Sequence, residues 1–390
     1  MQRIPITQRS NIGARAKETG FTFLDIDGTV YWDESAYYGF SLSEIERDIE
    51  DPSRELAALC VELAGRIVAD EKLMRRLDIP EHAWDLVAAS FKRAEPSLYG
   101  RFDFSYDGKG PARLLEYNAD TPTALFEASI FQWLWLEDQL AAGQLPVGSD
   151  QFNSIHEALI ARLAVIKASA PSVRQLHLAC VAESAEDRGL IDYLADCAVQ
   201  AGFTTYELEI KEIGVSGGDT FVNLQDEPIE LMFKLYPWEW LLAEKFGRSK
   251  GMQTTQFIEP PWKAVLSNKG ILPLLWQMAP GHPNLLQCYF DDDPAKAALG
   301  GRFARKPLHS REGSNITLVD GATTIDRAGG PYGDGHHIVQ ALAPLPNCAG
   351  HYPVVGSWIV GDKACGIGIR EDASPITKNT SRFMPHAILP

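Results

Sequence analysis

The chain has 390 residues, and its 45% hydrophobic and 23% charged content is that of an ordinary globular protein. That length is enough for roughly two or three packed subdomains around a large core. The formal net charge of −16 argues against nucleic acid as the main partner, because phosphate backbones bind basic surfaces. The same charge leaves room for an anionic ligand in a local basic pocket, and it weakly favours a cationic substrate such as a polyamine.

The cysteines and the apolar segments bear on the cellular compartment of the protein. The six cysteines are scattered and form no CxxC pair, so they predict neither a disulfide framework nor a zinc site. We expect buried free thiols in a reducing compartment. The N-terminal segment MQRIPITQRSNIGARAKETG lacks the apolar core of a secretory signal, and no apolar run approaches the roughly 18 residues needed to span a membrane. The sequence therefore predicts a cytoplasmic protein with no membrane partner.

Residues 21–33, FTFLDIDGTVYWD, contain a short match to a catalytic motif. DIDGTV after apolar residues matches the DxDGT motif of haloacid-dehalogenase-type phosphatases, with Asp25 as nucleophile and Asp27 as acid/base. That fold also needs a following strand and helix, a later lysine and a late acidic pair, whereas an aromatic segment follows here. We therefore favour an extended segment with an Asp-Gly turn and keep the phosphatase as an alternative.

Residues 41–92 predict a helical packing module. Apolar residues recur at helical spacing through 41–77, and Ser41 or Ser43 can cap this helix with a glutamate three residues later. A break in the helix is expected near Pro52. A second amphipathic helix, EHAWDLVAASF, completes the module.

Residues 101–118 predict a β-hairpin. Aromatic residues alternate with polar ones through RFDFSY, which is the period of a strand with two different faces. The turn DGKG follows, where glycine supplies the positive φ angles that a tight reversal needs. A return strand over 112–118 closes the hairpin.

The spacing of the polar residues in this hairpin predicts a shared face. If the loop has an even length and is centred on Gly108 and Lys109, Arg101 lies opposite Glu116. Side chains two apart share a face, so four polar groups then project from one side of the hairpin: Arg101, Asp103, Glu116 and Asn118. Their oxygens suit Mg²⁺, and an arginine beside the ion suits the anionic transition state of phosphoryl transfer. On spacing alone, a surface hairpin with weak cross-strand ion pairs is the favoured alternative.

Two apolar helices are predicted after the hairpin, over 125–140 and 153–168. The first carries Trp133 and Trp135. Because aromatic residues at helical spacing usually belong to the core, we expect both tryptophans to be buried.

A strand–helix–strand pattern follows. A buried strand over 175–181, a helix over 186–200 and a strand over 203–210 are typical of a βαβ unit in an α/β region. The unit carries no GxGxxG motif, so a dinucleotide-binding fold has little support. A connecting strand and turn are expected over 218–225.

Lys269 lies at a predicted helix start in the segment SNKGILPLLW. A strand end and a helix over 233–246, and then a Pro-Pro pair, precede this segment. A lysine there can bind a phosphate together with the backbone N–H groups of the helix N-terminus. The alternative is a solvated helix lysine.

Residues 303–320, FARKPLHSREGSNITLVD, form the second informative stretch. A strand ends at Lys306, a loop with arginine, glycine and serine follows, and another strand is expected from residue 315. Such an arrangement can grip the phosphates of a nucleoside triphosphate, since backbone amides and basic side chains share the negative charge. An ordinary hairpin with surface charge is the alternative.

The C-terminal part predicts a linker and a hairpin. GGPYGDGHHIVQALAPLP contains a short apolar strand over 338–342 that can present backbone groups to an adenine edge. His336 and His337 point to opposite faces of a strand, so we interpret them as structural and not as a metal pair. A glycine-rich hairpin over 354–372 ends in charged residues, which is typical of a close-packed sheet beside a site.

These segments together resemble the glutathionylspermidine synthase family, an ATP-grasp branch of the carboxylate–amine ligases. The resemblance runs from about residue 20 to the C-terminus, and it is strongest to the family's stand-alone bacterial proteins, which lack a cysteine amidase domain. The matching segments are YWDESAYY, PSLYGRFDFSYDG, LLEYNADTPT, FQWLWLEDQ, SDQFNS, EDRG, FKLYPWEW, SNKGILPLLW, KPLHSREGSN and GSWIVGDKACGIGIRED.

The resemblance implies a role for each matching residue. Arg101 is similar to the family's transition-state-stabilising arginine, and Asp103, Glu116 and Asn118 match its Mg²⁺ ligands. Besides Arg101 and Asp103, the residues implied to bind ATP are Lys269 and Lys306, the phosphate-covering loop of Ser310, Arg311, Glu312, Gly313 and Ser314, and the adenine-holding linker of Val339, Gln340, Ala341 and Leu342. The residues implied to bind the thiol tripeptide are Thr121, Glu186, Asp187, Arg311 and Arg370.

Two residues depart from the family pattern. Thr121 and Glu312 stand where the family enzyme with established substrates has a serine and a cysteine. The first exchange is conservative, whereas the second places a negative charge near the phosphates. Whether glutathione and spermidine themselves are the substrates therefore stays open.

The resemblance implies an α+β, ATP-grasp-like ligase fold with an additional α/β subdomain over residues 1–390. We expect a helical part with the metal-site hairpin at 1–170, an α/β substrate-side part at 171–260 and a nucleotide-binding part at 261–390.

The implied reaction is ATP-dependent amide formation through an acyl phosphate, with ATP and a pair of Mg²⁺ ions as cofactors. It would join a glutathione-like peptide or another carboxylate to an amine such as spermidine. A catalytically degenerate ATP-grasp protein that binds nucleotide for regulation is the alternative, and the oligomeric state stays open.

Overall fold

The computed structural model describes residues 1–26, 28–181 and 183–390. Helices and strands are interspersed along the chain, which confirms the α+β class. The α-helices are Ile12–Thr19, Leu42–Glu44, Asp51–Val68, Glu71–Arg76, Trp84–Lys92, Gln132–Ala141, Ile155–Ser169, Ala185–Gln200, Trp238–Ala243, Gly251–Thr254 and Ile271–Met278. Tighter or wider helical turns are Ile45–Glu50, Glu81–Ala83, Glu127–Phe131, Ile210–Glu212, Lys245–Arg248, Pro261–Val265 and Pro294–Leu299.

The N-terminal helical module begins at Ser41, whose side chain forms a capping box with Glu44. The expected break near Pro52 is wrong. A π-helical turn over Ile45–Glu50 runs directly into Asp51–Val68, and Pro52 lies in the first turn of that helix, where its missing N–H is tolerated.

The central antiparallel sheet contains the predicted hairpin. Its strands lie in the order Arg382–Met384, Lys363–Asp372, Tyr352–Val360, Tyr99–Ser105 and Arg113–Asn118. The C-terminal hairpin expected over 354–372 is thus confirmed as the middle of this sheet.

The two faces of the central sheet belong to different parts of the core. Phe102 and Phe104 are fully buried on one face and pack in a hydrophobic cluster with the N-terminal helical module. The other face carries Arg101 and Asp103, and the neighbouring Trp358 belongs to a second cluster. Alternation along the strand therefore places polar groups beside a dry core.

The parallel sheet confirms the predicted βαβ unit. Gln175–Cys180 and Thr204–Glu209 pair in parallel, with the helix Ala185–Gln200 between them in sequence. Leu231–Leu235 pairs in parallel with the other edge of Gln175–Cys180, and Gln256–Ile258 completes the sheet. The carboxyl ends of these strands meet at one edge, which is where α/β sheets bind ligands.

The outer antiparallel sheet carries the second informative stretch. Its strands lie in the order Cys288–Phe290, His337–Ala341, Arg302–Pro307, Thr317–Asp320 and Thr323–Arg327. The strand expected from residue 315 begins two residues later, because Asn315 has a left-handed φ of 59° that an extended strand does not allow.

Three smaller sheets complete the fold. Their strands are Gln2–Pro5, Ala36–Phe40 and His386–Ile388 in the first, Asp25–Ile26 and Thr29–Val30 in the second, and Gly214–Val215 and Phe221–Val222 in the third. Among the described residues, none of the helices has the length and apolar character needed to cross a bilayer.

The tryptophans of the apolar helix differ in burial. Trp135 is fully buried as predicted, whereas Trp133 is 38% exposed, so the expectation that both belong to the core is wrong for Trp133. Residues two apart on an α-helix lie on different faces, and only the face with Trp135 packs in the core, where its ring contacts Tyr37. The six cysteines are free as predicted, and all but Cys348 are buried.

Candidate active site

The hairpin strands pair in a register that differs from the predicted one. Arg101 lies opposite Asn118 and not opposite Glu116, and Asp103 lies opposite Glu116. The connecting loop over 106–112 has an odd number of residues, which by itself would place the side chains of Glu116 and Asn118 on the face opposite Asp103. A β-bulge beside Asp103 adds one more residue to the return strand and restores them to the same face. The register prediction is therefore wrong, but the four polar groups still share a face.

Asp103 is the most heavily bonded group on this face. Arg101 donates from Nε to Asp103 Oδ1 at 2.6 Å and from Nη2 to Oδ2 at 3.1 Å. Arg370 Nη2 and Asn118 Nδ2 donate to the same Oδ2 at 3.0 and 3.1 Å. Asp103 is only 2% exposed, so these contacts hold its charge in a nearly dry position.

The two guanidinium groups around Asp103 differ in their electrostatics. Burial disfavours the Arg101 cation, but Asp103 outweighs this effect and leaves the pKa of Arg101 raised. Burial and then the like charge of Arg101 lower the pKa of Arg370. Both groups point at the same small region, which suits them to an anionic ligand.

Two lysines from distant segments lie near Glu116, the other carboxylate of the hairpin, and one of them contacts it. Lys269 Nζ lies 3.0 Å from Glu116 Oε2. Lys306, in the outer sheet and only 5% exposed, donates to the carbonyl oxygen of Leu115 and to Gln340 Oε1, both at 2.8 Å. Burial raises the pKa of Glu116, but the positive charges of Lys269 and then Lys306 outweigh burial and lower this pKa to about 2. Burial lowers the pKa of Lys306 to about 8, and Lys269 adds to this effect.

The loop over 310–314 closes over these groups. Lys269 Nζ donates to the carbonyl oxygen of Ser310 at 2.8 Å. Gly313 has a φ of 68°, and a Cβ atom there would lie 2.4 Å from the carbonyl oxygen of Thr377. The glycine is therefore needed both for the turn and for the close approach of the loop to the rest of the site.

Arg311 connects the loop to two distant segments of the chain. Its Nη1 donates to Thr121 Oγ1 at 2.7 Å, and its Nη2 lies 3.5 Å from Glu239 Oε1. Its guanidinium carbon lies 5.6 Å from the centre of the Trp240 ring. Glu239 and Trp240 were not predicted as site residues: FKLYPWEW is one of the segments that match the family, but its pattern indicated only a strand end and a helix.

Polar atoms of this loop are buried without a protein partner. They are His309 Nδ1, Ser310 Oγ and Arg311 Nε, three consecutive residues beside Lys269. A buried polar atom is costly unless it is hydrogen-bonded, so these atoms fit a ligand with acceptor oxygens.

A cavity of about 560 Å³ lies between the central sheet, the outer sheet and the parallel sheet. Most of the residues predicted for the site line it: Arg101, Asp103, Glu116, Asn118, Thr121, Glu186, Asp187, Lys306, Arg311, Glu312, Gly313, Gln340, Ala341, Leu342 and Arg370. Four of the predicted residues lie outside its wall, namely Lys269, Ser310, Ser314 and Val339. Of these, Lys269 reaches the site through Glu116 and Ser310.

Further carboxyl groups gather where the helix Ala185–Gln200 meets the cavity. Glu186 and Asp187 lie in the first turn of Ala185–Gln200, and burial raises the pKa of both, that of Asp187 to about 7. Glu127 lies nearby, accepts from the Tyr31 hydroxyl at 2.6 Å, and has a pKa raised to about 8 by burial and then by Glu186. Glu127 was missed, although a lone glutamate in the apolar segment LFEASIF was an available signal.

The other candidate residues lie apart from this cavity. Asp25 is exposed in a two-residue strand, and Asp27 lies outside the described residues. His336 is exposed beside Asp78 and His337 is buried, in agreement with opposite faces. Among the described residues there is no cluster of three His, Cys, Asp or Glu side chains that could hold a metal ion.

The chain is similar to proteins of one known family. The profile of the family described as glutathionylspermidine synthase preATP-grasp matches residues 3–389. A Haemophilus influenzae protein with the provisional name acid–amine ligase is 40% identical over 387 residues, with 95% of each chain covered.

Two longer relatives share the same region. The trypanothione synthetase of Crithidia fasciculata is 28% identical over 355 residues, which are 83% of this chain and 52% of that protein. The bifunctional glutathionylspermidine synthetase/amidase of Escherichia coli is 25% identical over 383 residues, which are 90% of this chain and 59% of that protein. The chain thus spans little more than half the length of either.

A solved structure has the same fold. The glutathione synthetase-like effector from Globodera pallida aligns with a TM-score of 0.59 at 12% identity and covers 99% of both chains. This likeness bears on the fold alone and agrees with the predicted ATP-grasp-like architecture. From the profile and the Haemophilus relative, the chain belongs to the glutathionylspermidine synthase preATP-grasp family, a family of ATP-dependent carbon–nitrogen ligases.

Proposed function

We propose that this protein activates a peptide-like carboxylate with ATP as an acyl phosphate and transfers the acyl group to an amine. The observation that carries the proposal is the convergence of Arg101, Arg370, Lys269 and Lys306 on two carboxylates at one wall of the 560 Å³ cavity. Phosphoryl transfer needs positioned positive charge more than covalent protein chemistry, and this wall supplies it.

The phosphate groups of ATP would lie between the lysines and the loop over 310–314. Buried polar atoms without a partner on Ser310 and Arg311 fit phosphate oxygens. The strand His337–Ala341 lies beside Lys306 in the outer sheet, and Ala341 and Leu342 line the cavity, so this segment is placed to hold the adenine.

Mg²⁺ would be held by Asp103, Glu116 and Asn118, whose carboxylate and amide oxygens are the hard ligands that this ion takes in small number. Asn118 presents its Nδ2 to both carboxylates, so its oxygen would have to turn toward the ion. When bound, Mg²⁺ would neutralise phosphate charge during transfer. Because phosphates and water supply the remaining ligands, a cluster of three acidic side chains is not required.

The proposed reaction has two chemical steps. A substrate carboxylate oxygen bonds to the γ-phosphorus of ATP, and the bond from that phosphorus to the bridging oxygen breaks, so ADP leaves with the electron pair. The amine nitrogen next bonds to the acyl carbon, the carbon–oxygen bond to phosphate breaks, and the nitrogen loses a proton. Arg101 and Arg370, which both contact Asp103 in the cavity wall, would stabilise the negative charge that develops in the first step.

The acid would be a peptide held at the end of the cavity that Thr121, Glu186 and Asp187 line. Carboxylates there suit a peptide ammonium group, and Arg311 bonded to Thr121 suits a peptide carboxylate. The names of the Crithidia and Escherichia relatives make a glutathione-like peptide and a polyamine the first pair to test. The buried free thiols favour a reducing, cytoplasmic setting.

The test is a screen of peptides and polyamines for ADP release that requires both an acid and an amine. Asp103→Ala and Glu116→Gln should each reduce this release at least about 100-fold, because each removes a charge from the transfer site. Asp25→Asn, an exposed carboxylate outside the cavity, is the matched control and should retain full activity.

Two other outcomes have distinct meanings. ATP binding without acid- and amine-dependent turnover would indicate a degenerate regulatory protein. Loss of activity in Asp25→Asn with Asp103→Ala unaffected would favour the phosphatase alternative.

A further inference from the structure

A second cavity of about 410 Å³ lies at the carboxyl edge of the parallel sheet, and we call it the sheet-edge cavity. Its volume is in the usual range of small-molecule sites, and this edge is where such sheets bind ligands. The lining residues are Cys180, Val181, Glu183, Glu209, Ile210, Lys211, Ile213, Phe221, Met232, Lys234, Tyr236, Leu241, Glu244, Phe246 and Phe257. None of them was assigned a role in the proposed reaction.

The wall of the sheet-edge cavity is mainly apolar. Phe221, Met232 and Phe257 form a buried base that belongs to the hydrophobic core. Ile213 is only partly buried, and Phe246 is 42% exposed at the same cavity. Apolar surface that the rest of the described chain leaves uncovered can be covered by the apolar body of a ligand.

The polar groups of the cavity leave an excess of negative charge. Lys211 lies 2.7 Å from Glu209 Oε2, and the buried Lys234 is paired with Asp120 at 2.7 Å, so both lysines are neutralised. Among the described residues, Glu244 forms no ion pair, and its hydrogen-bond donor is the uncharged hydroxyl of Tyr236. An unneutralised carboxylate beside an apolar wall is complementary to a cation that carries an apolar chain.

The sheet-edge cavity is separate from the candidate active site. Val181 lines both cavities, and the buried pair of Lys234 and Asp120 stands between them, with Asp120 next to Thr121 of the active-site cavity. A ligand in one cavity therefore does not occupy the other. We propose that the sheet-edge cavity is a second binding site, for a primary alkylamine whose chain packs on the apolar wall and whose ammonium group is bound by Glu244.

The first test measures binding of hexylamine to the full chain by calorimetry, without ATP, so that it does not depend on ligase activity. Hexylamine should bind at one saturable site. Hexanoate should bind at least about 10-fold more weakly because Glu244 repels it. Butylamine should bind about 15-fold more weakly because it lacks two methylenes that each contribute about four-fold. Equal affinity for hexylamine and hexanoate would overturn the proposal.

The second test locates the bound amine. Glu244→Gln should weaken hexylamine binding about 10-fold and leave hexanol binding unchanged, because only the charge is removed. Ile213→Trp should abolish both by filling the cavity. Glu230→Gln, an exposed glutamate on the same subdomain outside the lining, is the matched control and should bind as the wild type does.

A third variant separates the two cavities. Asp187→Asn changes the active-site cavity and should leave hexylamine binding unchanged. Weaker binding in Asp187→Asn, with Glu244→Gln unaffected, would place the amine in the active-site cavity and refute the second site.

Discussion

Lys306 gives a pH dependence whose sign and size follow from its surroundings. It is nearly fully buried, and burial lowers its pKa to about 8 despite the attraction of Glu116. A lysine with that pKa is about 90% charged at pH 7 and about 10% charged at pH 9. If its charge binds the phosphates of ATP, kcat/KM for ATP should fall about ten-fold between these pH values, because kcat/KM reports the free enzyme.

The assay is ADP release at limiting ATP from pH 6.5 to 9.5, at constant ionic strength. Lys306→Arg keeps its charge throughout this range and should remove the decline, whereas Lys306→Met should be slow at every pH. Lys109→Ala, in the exposed hairpin loop, is the control and should follow the wild-type profile. A flat wild-type profile, or the same decline in Lys306→Arg, would refute the reasoning.

Two further predictions concern stability and the loop. Asp120→Ala leaves the buried Lys234 ammonium unpaired and should lower the free energy of unfolding, measured in urea, by about 3–5 kcal/mol. The double variant Asp120→Leu with Lys234→Met removes both charges and should recover most of this loss. Equal losses in the single and the double variant would contradict this account. Gly313→Ala should lower kcat/KM for ATP by about 10- to 100-fold, since its Cβ would meet a carbonyl oxygen and displace the loop. Gly110→Ala, where a Cβ meets nothing within 4 Å, is the control, and equal kinetics of the two variants would count against a fitted loop.

The elements of the fold were largely predictable because local patterns determine them. The βαβ unit, the hairpin over 354–372 and the helix Trp84–Lys92 all follow from periodicity of two or 3.6 residues. Trp133 was mispredicted because a helix pattern does not say which of its faces meets another element. That information lies in tertiary packing, which the spacing of residues along the sequence does not reveal.

The site was predictable on its strands and less so elsewhere. The four polar groups of the hairpin were found because alternation assigns them to one face, but their register was not, since a β-bulge has no local signal in LLEY. Trp240 lines the cavity and Glu127 lies behind Glu186, and both were missed because they come from helices whose sequence indicates only packing. Distant pairs such as Arg311 and Thr121 exist only once the chain has folded.

The odd loop and the bulge of the hairpin have a consequence for how this segment can vary in length. The odd loop and the β-bulge each exchange the core face and the cavity face of the return strand, so their effects cancel. A relative that gained or lost a single residue here would aim Glu116 into the core and Tyr117, which stacks on Phe102, into the cavity, while its backbone pairing looked intact. Length should therefore change only in steps of two between Asp103 and Glu116, unless a second irregularity arises alongside.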